Sequence, residues 1–299
     1  MMKLLLFFFL NLISSQVFAA ACCGGGSALP SLITTDDRSQ FISSLSLGEV
    51  VVDSVNGAGY WFRNNQHQQV QTLKFDYAYV LDSDIQFGVT IPIVSKKFVD
   101  QSYSGLSDIQ MNVGYEYLPE LEYNLLKPKG FVYSGLIFPT GQSQYTSQHS
   151  GLDSRGKQLW GLTLGHVLTK TVFNYDFIQI IDLHHYFDQS ITSPTSDSVK
   201  VHHGLGGQFN IGAGYNWSKE RLGFQMGWVY EDRISVKNQL INDSGFVEKY
   251  GQVSINYAYM LTDVTGFSVG YTDQTLLGSP ENTSLSKTLS FQYTQRWTR

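Results

Sequence analysis

The sequence predicts an all-β chain that closes into an antiparallel up-and-down transmembrane barrel of about twelve strands. Three observations lead there. Apolar residues recur at every second position from Ser39 onward, short and long connections alternate, and charges within strands fall almost wholly on the polar face. The composition suits such a chain: 42% of residues are hydrophobic and 14% aromatic, but only 15% are charged, against roughly 25% in soluble domains. With 18 Tyr, 19 Phe and 5 Trp there is ample surface to bury, which excludes disorder. A net charge of −5 offers no basic patch for phosphate, so no nucleic-acid partner is expected.

The chain opens with Lys3, an apolar run from Leu4 to Leu10 that extends through Leu12 and Ile13, and then small or polar residues up to Ala19. This layout is that of a secretory signal peptide, so residues 1–19 are expected to be removed after Ala19. The run is too short for a retained membrane helix, and no later segment resembles one. Residues 20–38 form an expected flexible segment in which Cys22 and Cys23 lead into Gly24, Gly25 and Gly26. Both cysteines are candidates for lipidation or for a disulfide with a partner. Without a spaced second pair they do not make a structural metal site.

The barrel is expected to occupy residues 39–299. Leu73, Phe75, Tyr77, Tyr79 and Leu81 share one face against Lys74, Asp76 and Ala78. Ile85 to Ile93, Ile109 to Tyr117, Phe209 to Trp217, Leu222 to Tyr230, Val253 to Leu261 and Leu289 to Trp297 repeat the pattern. Weaker alternation marks 39–52, 130–139, 158–168, 172–187 and 265–272. Tight turns are expected at Asp82–Asp84, Thr169–Thr171, Ser218–Glu220 and Thr262–Val264. Longer polar links fall at 53–67, 95–106, 140–157, 188–198, 233–248 and 273–285. That asymmetry separates brief periplasmic turns from extended external loops, and only Pro119–Lys129 breaks it. Tyr77 with Tyr79, Tyr257 with Tyr259, and Trp228 with Tyr230 suit an aromatic girdle at the headgroups. The closing strand, ending at Trp297, carries the apolar alternation expected for outer-membrane assembly machinery.

Alternation also occurs in soluble sandwiches, with the apolar face inward. The quantity of Phe, Tyr and Trp on these stripes favours the inverted arrangement, with lipid outside and polar residues inside. The inward face then supplies the candidate site: Lys74, Asp76, Asp84, Gln86, Asp108, Gln110, Asn112, Glu116, Asp176, Asp182 and His184. These side chains would set ion preference, orient a permeant or form a plug.

Catalytic readings are weaker. Ser147, His149 and Ser150 are the nearest set for a lipid hydrolase, but strand neighbours point to opposite faces and no orienting acid sits at matching spacing. His184-His185 and His202-His203 place one imidazole each inward, short of a ligand set. No catalytic residue, cofactor or metal is expected.

Two segments carry a family resemblance: Ser104-Gly105-Leu106-Ser107-Asp108-Ile109-Gln110 and Gly135-Leu136-Ile137-Phe138-Pro139-Thr140-Gly141. With Phe87-Gly88-Val89-Thr90-Ile91-Pro92 they resemble the outer-membrane transporter family labelled phenol-degradation meta-pathway, with Ser107-Asp108 in place of its Gly-Asp pair. The resemblance implies an outer-membrane protein in contact with lipid that passes small hydrophobic or aromatic compounds. The expected function is therefore a channel or transporter for small molecules. The alternatives are a closed structural or partner-binding barrel and an outer-membrane lipid-modifying hydrolase.

Overall fold

In the computed structural model the alternating segments form twelve long antiparallel strands, and the first is hydrogen-bonded to the last. The structure describes residues 31–298 apart from 64–67, 121–123, 150, 193–197 and 238–241. The barrel strands are β1 (Asp37–Val52), β2 (Gln68–Val80), β3 (Ile85–Phe98), β4 (Ile109–Leu118), β5 (Lys129–Phe138) and β6 (Gly161–Val172). They continue as β7 (Tyr175–Tyr186), β8 (Leu205–Trp217), β9 (Glu220–Glu231), β10 (Glu248–Met260), β11 (Thr265–Asp273) and β12 (Leu285–Thr298). Each pairs with its sequence neighbours, and β1 meets β12 from Ser39↔Trp297 to Val50↔Ser286. Closure satisfies every edge, which is the condition for a sheet to cross hydrocarbon.

The two faces separate as the alternation requires. On β12, Leu289 and Phe291 are 39% and 42% exposed, whereas Ser290 between them is 7% exposed. The same outward set includes Tyr77, Ile211, Phe224, Trp228, Ile255 and Phe267, so an apolar belt surrounds the barrel. A charge on that belt would lie in hydrocarbon. Ile211→Arg, at the middle of β8, is expected to lower barrel stability by about 2–4 kcal/mol, read as an earlier urea midpoint in lipid vesicles.

One wall departs from a purely polar interior. On β5, Val132, Ser134 and Leu136 face out, while Phe131, Tyr133 and Ile137 are buried inside. Val167 of β6 and Ile180 of β7 are also buried, and together with Phe131 and Tyr133 they form an apolar stripe inside the barrel. Phe131, Val132 and Tyr133 are all apolar, so polarity contrast does not reveal which face of this strand turns inward.

The ends differ as expected, with adjustments. The tight turns and both ends of the strand series share one rim. The turn expected at Thr169–Thr171 lies at Phe173–Asn174, because the threonines continue β6 to Val172. At the other rim the long links are themselves folded. Strand β3 continues to Phe98 and pairs with Gln101–Leu106 as a hairpin. Gln189–Thr192, Ser198–His203, Ile234–Lys237 and Asn242–Ser244 form a separate four-stranded sheet. Buried Leu159, Ile191, Val199 and Val201 hold that sheet to the 139–160 link.

Candidate functional site

Residues 31–36 precede β1 and run inside the barrel rather than away from it. The side-chain amide of Gln86 treats Ile33 as a neighbouring strand would: Ile33 N donates to Gln86 Oε1 at 2.6 Å, and Gln86 Nε2 donates to Ile33 O at 3.0 Å. Ile33, only 2% exposed, packs with Ala78 and Val80, and Leu32 packs on the Phe131–Tyr133–Val167–Ile180 stripe. Space for this segment comes from two inward glycines. A Cβ on Gly88 would overlap Ser31 O, and one on Gly114 would overlap the Leu32 side chain. At the rim, Asp36 pairs with Lys129 at 3.0 Å, and Lys129 also approaches Glu116 at 3.5 Å.

The expected site residues fall into separate groups. Lys74 and Asp76 pair at 3.1 Å, and Asp76 also accepts from Thr90 Oγ1 at 2.6 Å. Gln110 donates to Thr163 Oγ1 at 3.3 Å, and Asn112 is buried beside Gly88 and Gly135. Asp176 accepts two bonds from Arg221, at 2.8 and 2.7 Å, and Arg221 reaches Asn256 Oδ1 at 2.9 Å. Nearer the external rim, Tyr133 OH donates to Asp182 at 2.6 Å, and His184 lies 3.4 Å from Asp182 and 2.8 Å from Glu231. Lys157 completes that group, 3.1 Å from Glu231 and 4.4 Å from the Tyr186 ring centre.

Two residues are placed differently from the expectation. Asp84 lies in the turn before β3, where its carbonyl accepts from Glu116 N, and not within a strand of the wall. Asp108 sits where Gln101–Leu106 stops and β4 begins, so the alternation is interrupted there. Its carboxylate instead fastens the 139–160 link: Oδ1 accepts from Gly141 N at 2.8 Å, and Oδ2 accepts from Lys157 N at 2.6 Å and Gln158 N at 3.4 Å. Thr140 adds a bond from Ile109 N at 2.9 Å. Asp108→Ala is expected to speed protease cleavage within 139–160 while β1–β12 stay protected, since each bond to a carboxylate contributes about 1.5–3 kcal/mol.

The sequence motifs with catalytic or metal readings are occupied otherwise. Ser147 bonds Asp153, and the His149 ring stacks on Tyr103 at 4.5 Å, so the two do not form a nucleophile and base. Burial opposes ionisation of Asp153, but bonds from Ser147 and Gln148 outweigh it and hold the carboxyl below its usual range. His202 is bonded to Asp188, whereas burial keeps His203 neutral down to about 4. Among the described residues no three His, Cys, Asp or Glu side chains are grouped to hold a metal. Cys22 and Cys23 lie outside the described residues.

Arg221, Glu231, Lys157 and Tyr133 were missed from sequence as interior partners. Arg221 carried a signal, since it shares the inward parity opposite Leu222 and Phe224. Inside the barrel lies a cavity of about 540 Å³. It is walled by β1, β2 and β10–β12 on one side, by Val167 and Ile178 on the other, and by Ser31, Leu32 and Thr34 of the N-terminal segment.

A closed twelve-stranded sheet with an apolar outer belt and a largely polar interior defines a transmembrane β-barrel. Comparison with known proteins refines that class only through shape. No protein-family model matches the chain, and no curated protein matches it. Among solved structures, the COG4313 outer membrane channel from Pseudomonas putida F1 aligns with a TM-score of 0.68 at 13% identity, covering 92% of this chain and 100% of that one. The Pseudomonas putida toluene transporter TodX aligns at 0.45 and 12% identity, covering 87% and 89%. The translocator domain of the autotransporter NalP from Neisseria meningitidis aligns at 0.48 and 10%, covering 88% and 90%. The first of these likenesses shows the fold of an outer-membrane channel barrel.

Proposed function

We propose that the chain is an outer-membrane channel or transporter for small molecules, hydrophobic or aromatic compounds among them. The observation that carries this reading is the cavity of about 540 Å³ inside a closed membrane barrel. What narrows it is the start of the described chain, where Ile33 is hydrogen-bonded to Gln86 and Leu32 packs on the apolar stripe. The apolar stripe on β5–β7 gives such a permeant a surface that a purely polar pore would lack. The resemblance of the Ser107-Asp108 and Pro139-Thr140-Gly141 segments to the phenol-degradation meta-pathway transporters agrees with this reading, as does the COG4313 channel fold. The reading is non-enzymatic, since Ser147 and His149 have other partners. It includes export by the 1–19 segment and insertion through the assembly machinery by way of β12.

Planar-bilayer recording of the purified full-length protein tests it. Discrete conductance steps support the channel. Silence over many verified insertions, including those of a form lacking the N-terminal segment, would instead favour a closed structural barrel.

A further inference from the structure

The cavity has two chemically different walls that stand opposite each other. Around the ring, β1 and β7 are six strand steps apart in either direction, as are β12 and β6. On the β1–β12 side, inward positions include rungs of small hydroxyls, set among Ile42, Val50, Val70 and four glutamines. Thr72, Ser46 and Ser290 are in register across β2, β1 and β12, and Thr288, Thr272 and Ser254 are in register across β12, β11 and β10. Ser254 and Thr272 bond each other at 2.9 Å, and Ser290 donates to Gly270 O at 3.3 Å. Among the described residues, Ser46, Thr72 and Thr288 have no side-chain hydrogen bond and border the cavity. Across from them, Val167 and Ile178 present carbon, extended by Leu32. The cavity's one lysine, Lys74, is engaged by Asp76 at 3.1 Å.

We infer that this cavity binds an uncharged amphipathic molecule, its compact apolar skeleton seated on Leu32, Val167 and Ile178 and its hydroxyl or carbonyl groups turned to Ser46, Thr72 and Thr288. The inference rests on the channel reading and narrows its permeant class. A plain hydrocarbon would strip water from the open hydroxyls and return no hydrogen bond, the situation in which a polar site rejects an analogue lacking the polar group. An anion would find its one candidate partner, Lys74, already paired. The volume lies within the roughly 300–1,000 Å³ of small-molecule sites.

Saturation-transfer NMR titrations of the full-length protein in micelles, corrected against empty micelles, test this with three matched probes: cis-1,2-cyclohexanediol, methylcyclohexane and cyclohexanecarboxylate. The diol is expected to bind at least tenfold more tightly than the other two. The double variant Ser46→Ala/Thr288→Val should weaken the diol at least tenfold, while Leu289→Ala on the outer face leaves it unchanged. Retained heat-modifiable gel mobility verifies that each variant is a folded barrel. Equal binding of the hydrocarbon or the carboxylate, or indifference of a folded double variant, overturns the inference. A protein that conducts but does not prefer the diol refutes the ligand class and leaves the channel standing. Selective diol binding by a protein that never conducts supports the site and removes the channel reading.

Discussion

Deleting residues 20–36 is expected to raise single-channel conductance several-fold over that of the full-length protein, without loss of the folded barrel. The deleted stretch contains residues 31–34, which lie inside the lumen without belonging to the wall. Its hold depends on a few identifiable groups. Gln86 supplies both hydrogen bonds to the Ile33 peptide, Leu32 lies on the apolar stripe, and Asp36 pairs with Lys129 at the rim. Gln86→Ala should reproduce part of the effect as brief openings. Losing the amide leaves the Ile33 N–H and carbonyl buried without partners, at about 1–3 kcal/mol each, and every 1.4 kcal/mol changes the released fraction by about tenfold. Unchanged conductance in a folded deletion variant would show that the segment does not limit the pore.

The largest loss of stability is expected from Asp176→Ala. Arg221 is 3% exposed and donates through Nε and Nη2 to Asp176 and through Nη1 to Asn256. Removing the carboxylate takes two charge-assisted bonds from a buried guanidinium, and breaking such a buried pair costs about 3–5 kcal/mol. Replacing both partners, as Asp176→Leu/Arg221→Met, should recover most of that loss, because neither charge of the pair is then left buried without the other. Urea unfolding in vesicles, followed by tryptophan fluorescence, distinguishes the two. A single variant as stable as the parent would mean that water reaches Arg221.

Much of the architecture was legible because a lipid-facing barrel imposes strict contrast between successive residues. Leu289, Ser290, Phe291 and Gln292 declare their faces without help from tertiary structure. Parity also put Asp76, Gln86, Asn112, Asp176 and Asp182 among the half-buried or buried residues of the inward side. It failed where the strand itself is interrupted, as at Asp108, or had not yet begun, as at Asp84. It carried no information on β5, where Phe131 and Val132 are both apolar yet face opposite ways. The 31–36 segment has no periodicity of its own. Its trace in the sequence is indirect: a glutamine at position 86 and glycines at 88 and 114, all on inward positions, leave a slot that only the folded barrel brings together.

The most direct measurement of the two-faced barrel is a nitroxide accessibility scan along β1 and β12 in vesicles, on a background in which Cys22 and Cys23 are replaced by serine. Labels at Leu45, Leu47, Leu289 and Phe291 should collide mainly with oxygen dissolved in lipid. Labels at Ser44, Ser46, Thr288 and Ser290 should collide mainly with a water-soluble nickel chelate, giving opposite phases with a period of two. Chelate collisions at the leucines and phenylalanine, with the serines and threonine shielded, would place the apolar face inward and contradict a membrane-spanning pore.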